Sequence, residues 1–349
     1  MKKAVGLILL LAVMIFVGIS YIAKKEEKPQ TAVNGYVGGE KIGFLEDEEV
    51  QSVLQEKYGL SVDYSKAGSL DMMTADQEER NYLFPSSSIA AEYYEELHGK
   101  PVQNEIVMNT PIVLYTRKMV ADALEEQGLI TAQGEARYLD MKGMVQLIQE
   151  DTSWADLGLP QLYGTVSVDT TDPSRSNSGN MFAALLANVL NGGKTLTSED
   201  VEEILPQLES IFGKLGYMED SSADLFSQFL KMGVGAMPVI AGYESQLIEY
   251  AAENPEEYQA MKEDLVLLYP TPTVWSSHVL IALDEKGQKL IQGLLDEEVQ
   301  KLAWEKHGFR TEVSGAGEDV GISGVADSIT QVTQVPEYPV MREIFAALE

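Results

Sequence analysis

The sequence predicts an α/β body behind an apolar N-terminal segment, and three observations lead there. From Thr31 onward, short β-rich runs alternate with amphipathic helices, the pattern of strands covered by helices in mostly parallel sheets. The 349 residues are too many for one ordinary core and fit two domains, or a leading segment and a two-lobed body. Ala4 to Ile22 carries no charged residue.

That leading run follows Met1-Lys2-Lys3, a short positive start. It has the length that spans a hydrocarbon core of about 30 Å at about 1.5 Å per residue, and it exceeds the apolar core of a cleaved signal, about 7–15 residues. Residues 1–23 are therefore expected to anchor the chain in a membrane. The alternative is secretion after cleavage at Gly18-Ile19-Ser20, the best small-residue match. Lys24 to Gln30 reads as a polar spacer. Lys2 and Lys3 hold the N-terminus inside and put the body on the extracellular face, with Lys24, Lys25 and Lys28 opposing that orientation.

The body opens with a strand at Asn34–Val37, a helix at Glu46–Tyr58 with Val50, Val53 and Leu54 near helical spacing, and an alternating strand at Leu60–Tyr64. A short run ends at Leu83-Phe84, and Ser88 is expected to cap a helix burying Ile89, Tyr93 and Leu97. Glu105–Tyr115 is extended. Helices follow at Met119–Gln127 and Lys142–Glu150, then a strand at Gly164–Val168 and a helix at Asn177–Leu190. Thr197 and Asp200 resemble a capping box ahead of Val201, in a helix that Pro206 should kink or end. Strands are expected at Val234–Ile240 and Val274–Leu283, and helices at Gly242–Ala252 and Val340–Leu348. One or two further helices, broken near Asp296, occupy Gly287–His307.

Composition excludes several functions. The 25 basic residues stand against 55 acidic ones, a net charge of −30, so no cationic stripe is present to displace counterions from nucleic acid. The same balance argues against a body lying on anionic lipid. Without cysteine there are no disulfides, thiolate metal sites or thiol catalysis, and no lipidated cysteine. His98, His278 and His307 lack zinc-ligand spacing and read as surface or helix-end residues. Ser178 lies in Ser-Asn-Ser-Gly rather than in a nucleophile elbow. The expectation is a binding protein, not an enzyme, with no cofactor and no metal.

Four strand-to-helix turns carry the binding chemistry. In Val168 to Gly179 a strand runs through a hydroxyl-rich turn into an apolar helix, whose first amides are free to meet a polar or anionic group. Phe84-Pro85-Ser86-Ser87-Ser88 repeats the arrangement. Gly38-Gly39-Glu40-Lys41 allows close backbone approach, and Ile240-Ala241-Gly242-Tyr243-Glu244 is the fourth turn.

These turns, in this order, resemble the bacterial extracellular solute-binding proteins related to the molybdate- and sulfate-binding ones. Thr171-Asp172-Pro173 through Ser176-Asn177-Ser178-Gly179 matches their TDP-x-x-SNSG turn, and Phe84-Pro85-Ser86-Ser87 their FPSS turn. Val239 to Glu244 is similar to the segment ending in a ligand-facing tyrosine. Trp154 to Gly158 is a further family-like phrase, Tyr269 to Thr273 is similar to the return crossover, and Lys306 to Arg310 to the closing YGFR. The likeness covers about Asn34 to Arg310. Where relatives often place serines after the first strand, this chain has Gly38-Gly39-Glu40-Lys41.

The resemblance implies a two-lobed type II periplasmic-binding-protein fold with two interlobe crossovers and a central cleft. The lobes would comprise 31–109 plus 274–349, and 110–273. Ser86, Ser87, Thr171, Ser176, Asn177, Ser178 and Tyr243 would line the cleft, with Gly39 and Lys41 on its lobe-one rim and Arg175 or Lys41 as charge partners. The implied ligand is a small polar or anionic molecule. A cationic solute is the alternative, with Glu40 or Glu244 as counter-charge. The implied partner is the membrane permease of an ABC-type transporter. The alternative role is a membrane-anchored sensor or toxic-anion stress factor with the same fold and no transporter.

Overall fold

The computed structural model describes residues 30–315 and 320–349. The expected anchor at residues 1–23 lies outside the described residues. Among the described residues no helix is long and apolar enough to cross a membrane.

The elements run in chain order as follows. First come β1 (Thr31–Val37), a 3₁₀ turn (Gly39–Lys41), α1 (Ile42–Glu46), α2 (Glu48–Tyr58), β2 (Leu60–Lys66), α3 (Asp71–Thr74), β3 (Tyr82–Phe84) and α4 (Ser88–His98). Then come β4 (Gln103–Arg117), α5 (Lys118–Glu126), β5 (Ile130–Gln133), β6 (Ala136–Asp140), α6 (Met141–Gln149), α7 (Asn177–Leu190), α8 (Val201–Phe212) and α9 (Ser222–Lys231). Last are β7 (Val239–Tyr243), α10 (Glu244–Glu253), α11 (Pro255–Met261), β8 (Leu265–Thr271), β9 (Trp275–Ala282), α12 (Glu285–Leu294), α13 (Glu297–Glu305) and α14 (Tyr338–Leu348).

One strand builds both halves. The first part of β4, Gln103 to Pro111, pairs with β9 and completes a sheet of order β2-β1-β3-β9-β4. Its second part pairs with β7 on one edge and β8 on the other, and β6 and β5 extend that second sheet. Neighbours on both edges and helices on both faces bury β4 from Thr110 to Arg117, which is why this stretch is a near-continuous apolar run rather than an alternating one. The chain returns from β8 to β9 through Pro272-Thr273-Val274. There Thr273 Oγ1 donates to the Ile112 carbonyl at 2.6 Å and ties the two crossings together.

The sheets are mixed, not mostly parallel. β1 runs parallel to β2 and β3, and β6 to β8, but β4 and β9 are antiparallel to every strand they pair with.

Each half has its own apolar core. Phe44, Leu54, Tyr82, Phe84, Leu280, Leu290 and Phe309 fill the first. Leu114, Met144, Phe182, Leu185 and Ile204 fill the larger second core, and Tyr115, Phe226 and Leu267 a third on the opposite face of β4. The stretch beyond Arg310 does not stay beside β9. Ala326 joins the core around Leu267 and Tyr269, and Met341 and Ile344 of α14 pack into the core of α7 and α8.

Several expectations shift. α7 spans the expected residues. Of the two alternatives for Gly287–His307, two helices form, and Asp296 caps the second, accepting from the Glu298 amide at 3.0 Å. α8 continues through Pro206, because Ile204, Leu208 and Ile211 are buried on both sides of it. α4 is capped by Ser87 and buries Ile89, Ala90, Ala91 and Tyr94, while Leu97 is exposed. Tyr93 instead stacks on Tyr338 at 4.5 Å between ring centroids. The strand expected at Gly164–Val168 makes only the isolated bridge of Thr165 to Ser153, since no continuous strand edge faces it.

Candidate functional site

α7 begins where the loop from Asp169 turns inward. Ser176 is its N-cap, and that hydroxyl makes no capping bond. It shares a 3.1 Å hydrogen bond with Ser178 Oγ, which also meets Thr171 Oγ1 at 2.7 Å. The side-chain amide of Asn177 reaches the other segments: Nδ2 donates to the Ser86 carbonyl at 3.0 Å, Tyr243 Oη at 2.9 Å and Ser276 Oγ at 3.1 Å. The Ser276 hydroxyl also donates to the Ser86 carbonyl, at 2.6 Å. Three of the four expected turns therefore meet at Asn177. Burial holds the Tyr243 phenol protonated, with the Glu40 charge pushing its pKa further up.

Above this floor lies a cavity of about 670 Å³. One wall is Gly38, Gly39, Glu40, Lys66, Ser69 and Asp71; the other is Arg175, Ser176, Asn177 and Asp220 to Ala223. The second wall holds the N-termini of both α7 and α9. The α9 N-cap, Ser221, likewise makes no side-chain capping bond. Two helix ends thus present first-turn amides, the positive ends of their dipoles, to one space. Lys66 is exposed on the facing wall.

Gly39, Arg175, Ser176 and Asn177 border this cavity. Ser86, Ser87, Thr171, Ser178 and Tyr243 lie beneath it as buried support; Ser87 caps α4 by accepting from the Ala90 amide at 3.3 Å. Lys41 is not on the rim. The 3₁₀ turn folds inward and buries it completely, 5.0 Å from the Phe84 ring centroid. Its ammonium donates to Ser86 Oγ at 2.7 Å and His278 Nδ1 at 3.2 Å, and to Glu40 Oε1. Burial and the Lys41 charge push the His278 pKa well down, so a neutral imidazole accepts from Lys41. Burial raises the Glu40 pKa, but the Lys41 charge and the hydrogen bonds from Lys41 and Ser86 outweigh it and hold the carboxyl at about 2.

Arg175 is 65% exposed and is shared between Asp220 at 3.3 Å and Asp172 at 3.8 Å, as befits a solvated surface pair. Glu244 does not face the cavity: it is fully buried and bound by Arg310. It is thus removed as a counter-charge for a cationic solute. His278 and His307 are buried rather than on the surface; His307 lies between Glu249, at 2.8 Å, and Asp47, at 3.6 Å.

No protein-family profile and no curated protein matches the sequence. Solved structures do match. The sulfate-binding protein SubI of Mycobacterium tuberculosis is 13% identical, with a TM-score of 0.57 over 90% of this chain and 96% of its own. The substrate-binding protein of an ABC transporter from Agrobacterium tumefaciens is 11% identical, with 0.57 over 93% and 96%. The Trichodesmium protein IdiA (FutA), solved with iron and citrate, is 12% identical, with 0.55 over 91% and 97%.

This chain has the two-lobed type II periplasmic-binding-protein fold. Around its cleft stand residues that the sequence reading does not single out as site residues: Lys66, Asp71, Ser276, His278 and the Asp220–Ala223 end of α9. Two of them carry a signal. Ser276 and His278 recur at period 2 inside the apolar strand β9, which marks a polar line on one face of a buried strand.

Asp169, at the root of the loop that leads to Thr171, adds a pH dependence. Burial raises its carboxyl from 3.8 to about 6. The folded state then holds a proton that the unfolded chain has released, so stability falls as pH rises from about 4 to 6 and stays lower above that. Asp169→Asn should flatten this slope and stabilise the protein by about 2 kcal/mol at pH 7. Urea midpoints at pH 4 and 7 would check it; a variant no more stable than the parent at pH 7 refutes the assignment.

Proposed function

We propose that the protein is an extracellular solute-binding protein that captures a small polar or anionic solute in the cleft between its lobes and passes it to the permease of an ABC-type transporter. The observation that carries this reading is the convergence of two helix N-termini, neither capped by a side chain, on one cavity facing Lys66. Such ends bind negative or strongly polar groups through backbone amides, with no charged side chain needed.

For the lobes, we propose 31–109 with 274–310, and 110–273, with the segment from 320 onward strapped across both. The two-sheet use of β4 supports this division, as does the packing of α14 against α4, α7 and α8. Opening and closing would bend the two crossings, where Asn109–Pro111 pair with Trp275–Ser277 and Thr273 bonds the Ile112 carbonyl. Placement outside the cytoplasmic membrane, tethered by residues 1–23, belongs to the same reading.

Calorimetric titration with sulfate, phosphate, citrate and neutral polar solutes tests it, together with native mass spectrometry of the purified protein. Asn177→Ala should weaken any solute so found by about 10-fold or more, because the amide that organises the floor is worth about 1.5 kcal/mol or more. If no solute binds and none co-purifies, the reading fails.

A further inference from the structure

Three polar atoms of the cleft converge on one point. A methyl group built on Gly38 would lie 2.7 Å from Glu40 Oε1, 2.7 Å from Ser86 Oγ and 2.8 Å from Lys41 Nζ. Gly38 is thus the residue that leaves room for them. Of the three, Lys41 Nζ and Ser86 Oγ are donors sealed from solvent, whereas the Glu40 side chain is 14% exposed and borders the cavity. The same Glu40 oxygen takes both donors. In geometry and charge, this is an ammonium and a hydroxyl closing on a carboxylate, and the carboxylate belongs to the protein.

We propose that Glu40 is a built-in competitor: its carboxylate occupies the position between Lys41 and Ser86 that one oxygen of a multiply charged oxyanion takes on binding. The inference rests on the solute-binding reading above and narrows its ligand class. The rest of such an anion would lie in the 670 Å³ cavity, against Lys66 and the ends of α7 and α9. Glu40 has space to withdraw, since a second cavity of about 460 Å³ meets the first at Gly39, Glu40, Ser222 and Ala223. That space also holds Glu249, Glu253 and Glu257 against one cation, Lys231, so moving a carboxylate toward it is opposed by the net like charge.

Selectivity follows from this exchange. A monoanion that replaces Glu40 substitutes one negative charge for another, loses its own translational freedom and meets the repulsion on the displaced side chain. An anion of charge −2 or more keeps charge in excess of the exchange for Lys66 and the helix ends. Acetate and chloride are therefore rejected while sulfate or citrate is admitted. Sulfate and citrate offer tetrahedral and carboxylate oxygens respectively, so the two probes distinguish the geometry preferred.

The test compares the unmodified protein with Glu40→Gln, which keeps the side-chain shape and removes the competing charge. Glu40→Gln should bind sulfate or citrate at least 10-fold more tightly than the parent and should acquire acetate binding. Adding Lys41→Met to it should abolish the gain. Equal or weaker affinity in Glu40→Gln overturns the proposal even if the parent binds a solute elsewhere in the cleft, which would leave the broader reading intact. Glu40→Asp, whose shorter arm withdraws the carboxylate while keeping the charge that balances Lys41, covers the case in which Glu40→Gln does not fold, and should show a smaller gain. A crystal structure of the parent with bound sulfate or citrate is an independent check: Glu40 released from Ser86 supports the proposal, and Glu40 still bound to both Lys41 and Ser86 overturns it.

Discussion

Glu244→Ala is expected to destabilise the protein by about 3–5 kcal/mol, the cost of leaving a buried charge without its partner. Glu244 is fully buried at the start of α10. Arg310 donates to it twice, from Nε to Oε2 at 2.6 Å and from Nη2 to Oε1 at 2.7 Å, and the Tyr269 hydroxyl donates to Oε1 as well. The same guanidinium donates to the carbonyls of Gly315 and Ala326 and lies 4.8 Å from the Trp304 ring centroid. Truncating Glu244 strands that cation; truncating Arg310 strands the carboxylate. A Glu244→Met, Arg310→Met double variant should recover most of the loss, because apolar pairs of similar volume replace buried ion pairs at little cost. Urea unfolding measures all of this. A loss below about 1 kcal/mol in Glu244→Ala would show that the pair contributes no more than a surface bridge.

Gly179→Ala is expected to cost about 2–3 kcal/mol or more and to weaken solute binding at least about 10-fold. A Cβ there would strike the Thr171 carbonyl oxygen, and would lie 2.8 Å from Pro173 N and 2.9 Å from the Asp172 carbonyl carbon. All three are backbone atoms of the loop on which α7 begins, so no side chain can rotate aside. The helix end must lift, and Ser176 and Asn177 move with it. Ser178→Ala is the control. It removes hydroxyl bonds to Thr171 and Ser176 without adding volume, and should cost only about 1 kcal/mol. Equal effects of the two substitutions would refute the steric argument.

How much of the fold and of the site is legible in the sequence differs by region. α7 is readable because a serine of N-cap type, a small-residue turn and a long apolar run all point to one helix start. α13 is readable because Asp296 both ends one helix and caps the next. β8 is not, because Pro270 and Pro272 make Leu265–Thr271 look like a connection; the strand tolerates Pro270 within the parallel pairing with β6. α9 carries its signal in Leu225, Phe226 and Phe229 at helical spacing, and the β5–β6 hairpin in Gly134 at its turn. Both are short and flanked by polar residues, which hides them beside the longer apolar runs. In the site, the hydroxyl turns are visible because free helix amides demand such residues. Sequence alone puts Lys41 on the rim, because lysine ordinarily seeks solvent; what holds it inside is a carboxylate next to it and a serine 45 residues away. His278 taken alone reads as a surface residue for the same reason; its burial is set by β9 lying between β3 and β4, and only its period-2 spacing from Ser276 in an apolar strand hints at it.

The pairing of β9 between β3 and β4 also orders events along a growing chain. Tyr82 pairs with Ala282, and Gln103 pairs with the same residue from the other side. The strands of the second sheet all lie between Gln103 and Thr271, so that sheet can pair while the C-terminal portion is still being made, although its core around Phe182 and Leu185 is completed only by Met341 and Ile344 of α14. The first half emerges earlier yet must wait. Until β9 arrives, β1, β2 and β3 form a three-stranded fragment whose β3 edge exposes unpaired amides and the apolar run Tyr82–Phe84. The oldest part of the polypeptide therefore stays open until residue 282 is made, and a chain crossing a membrane N-terminus first would carry that edge with it until β9 followed.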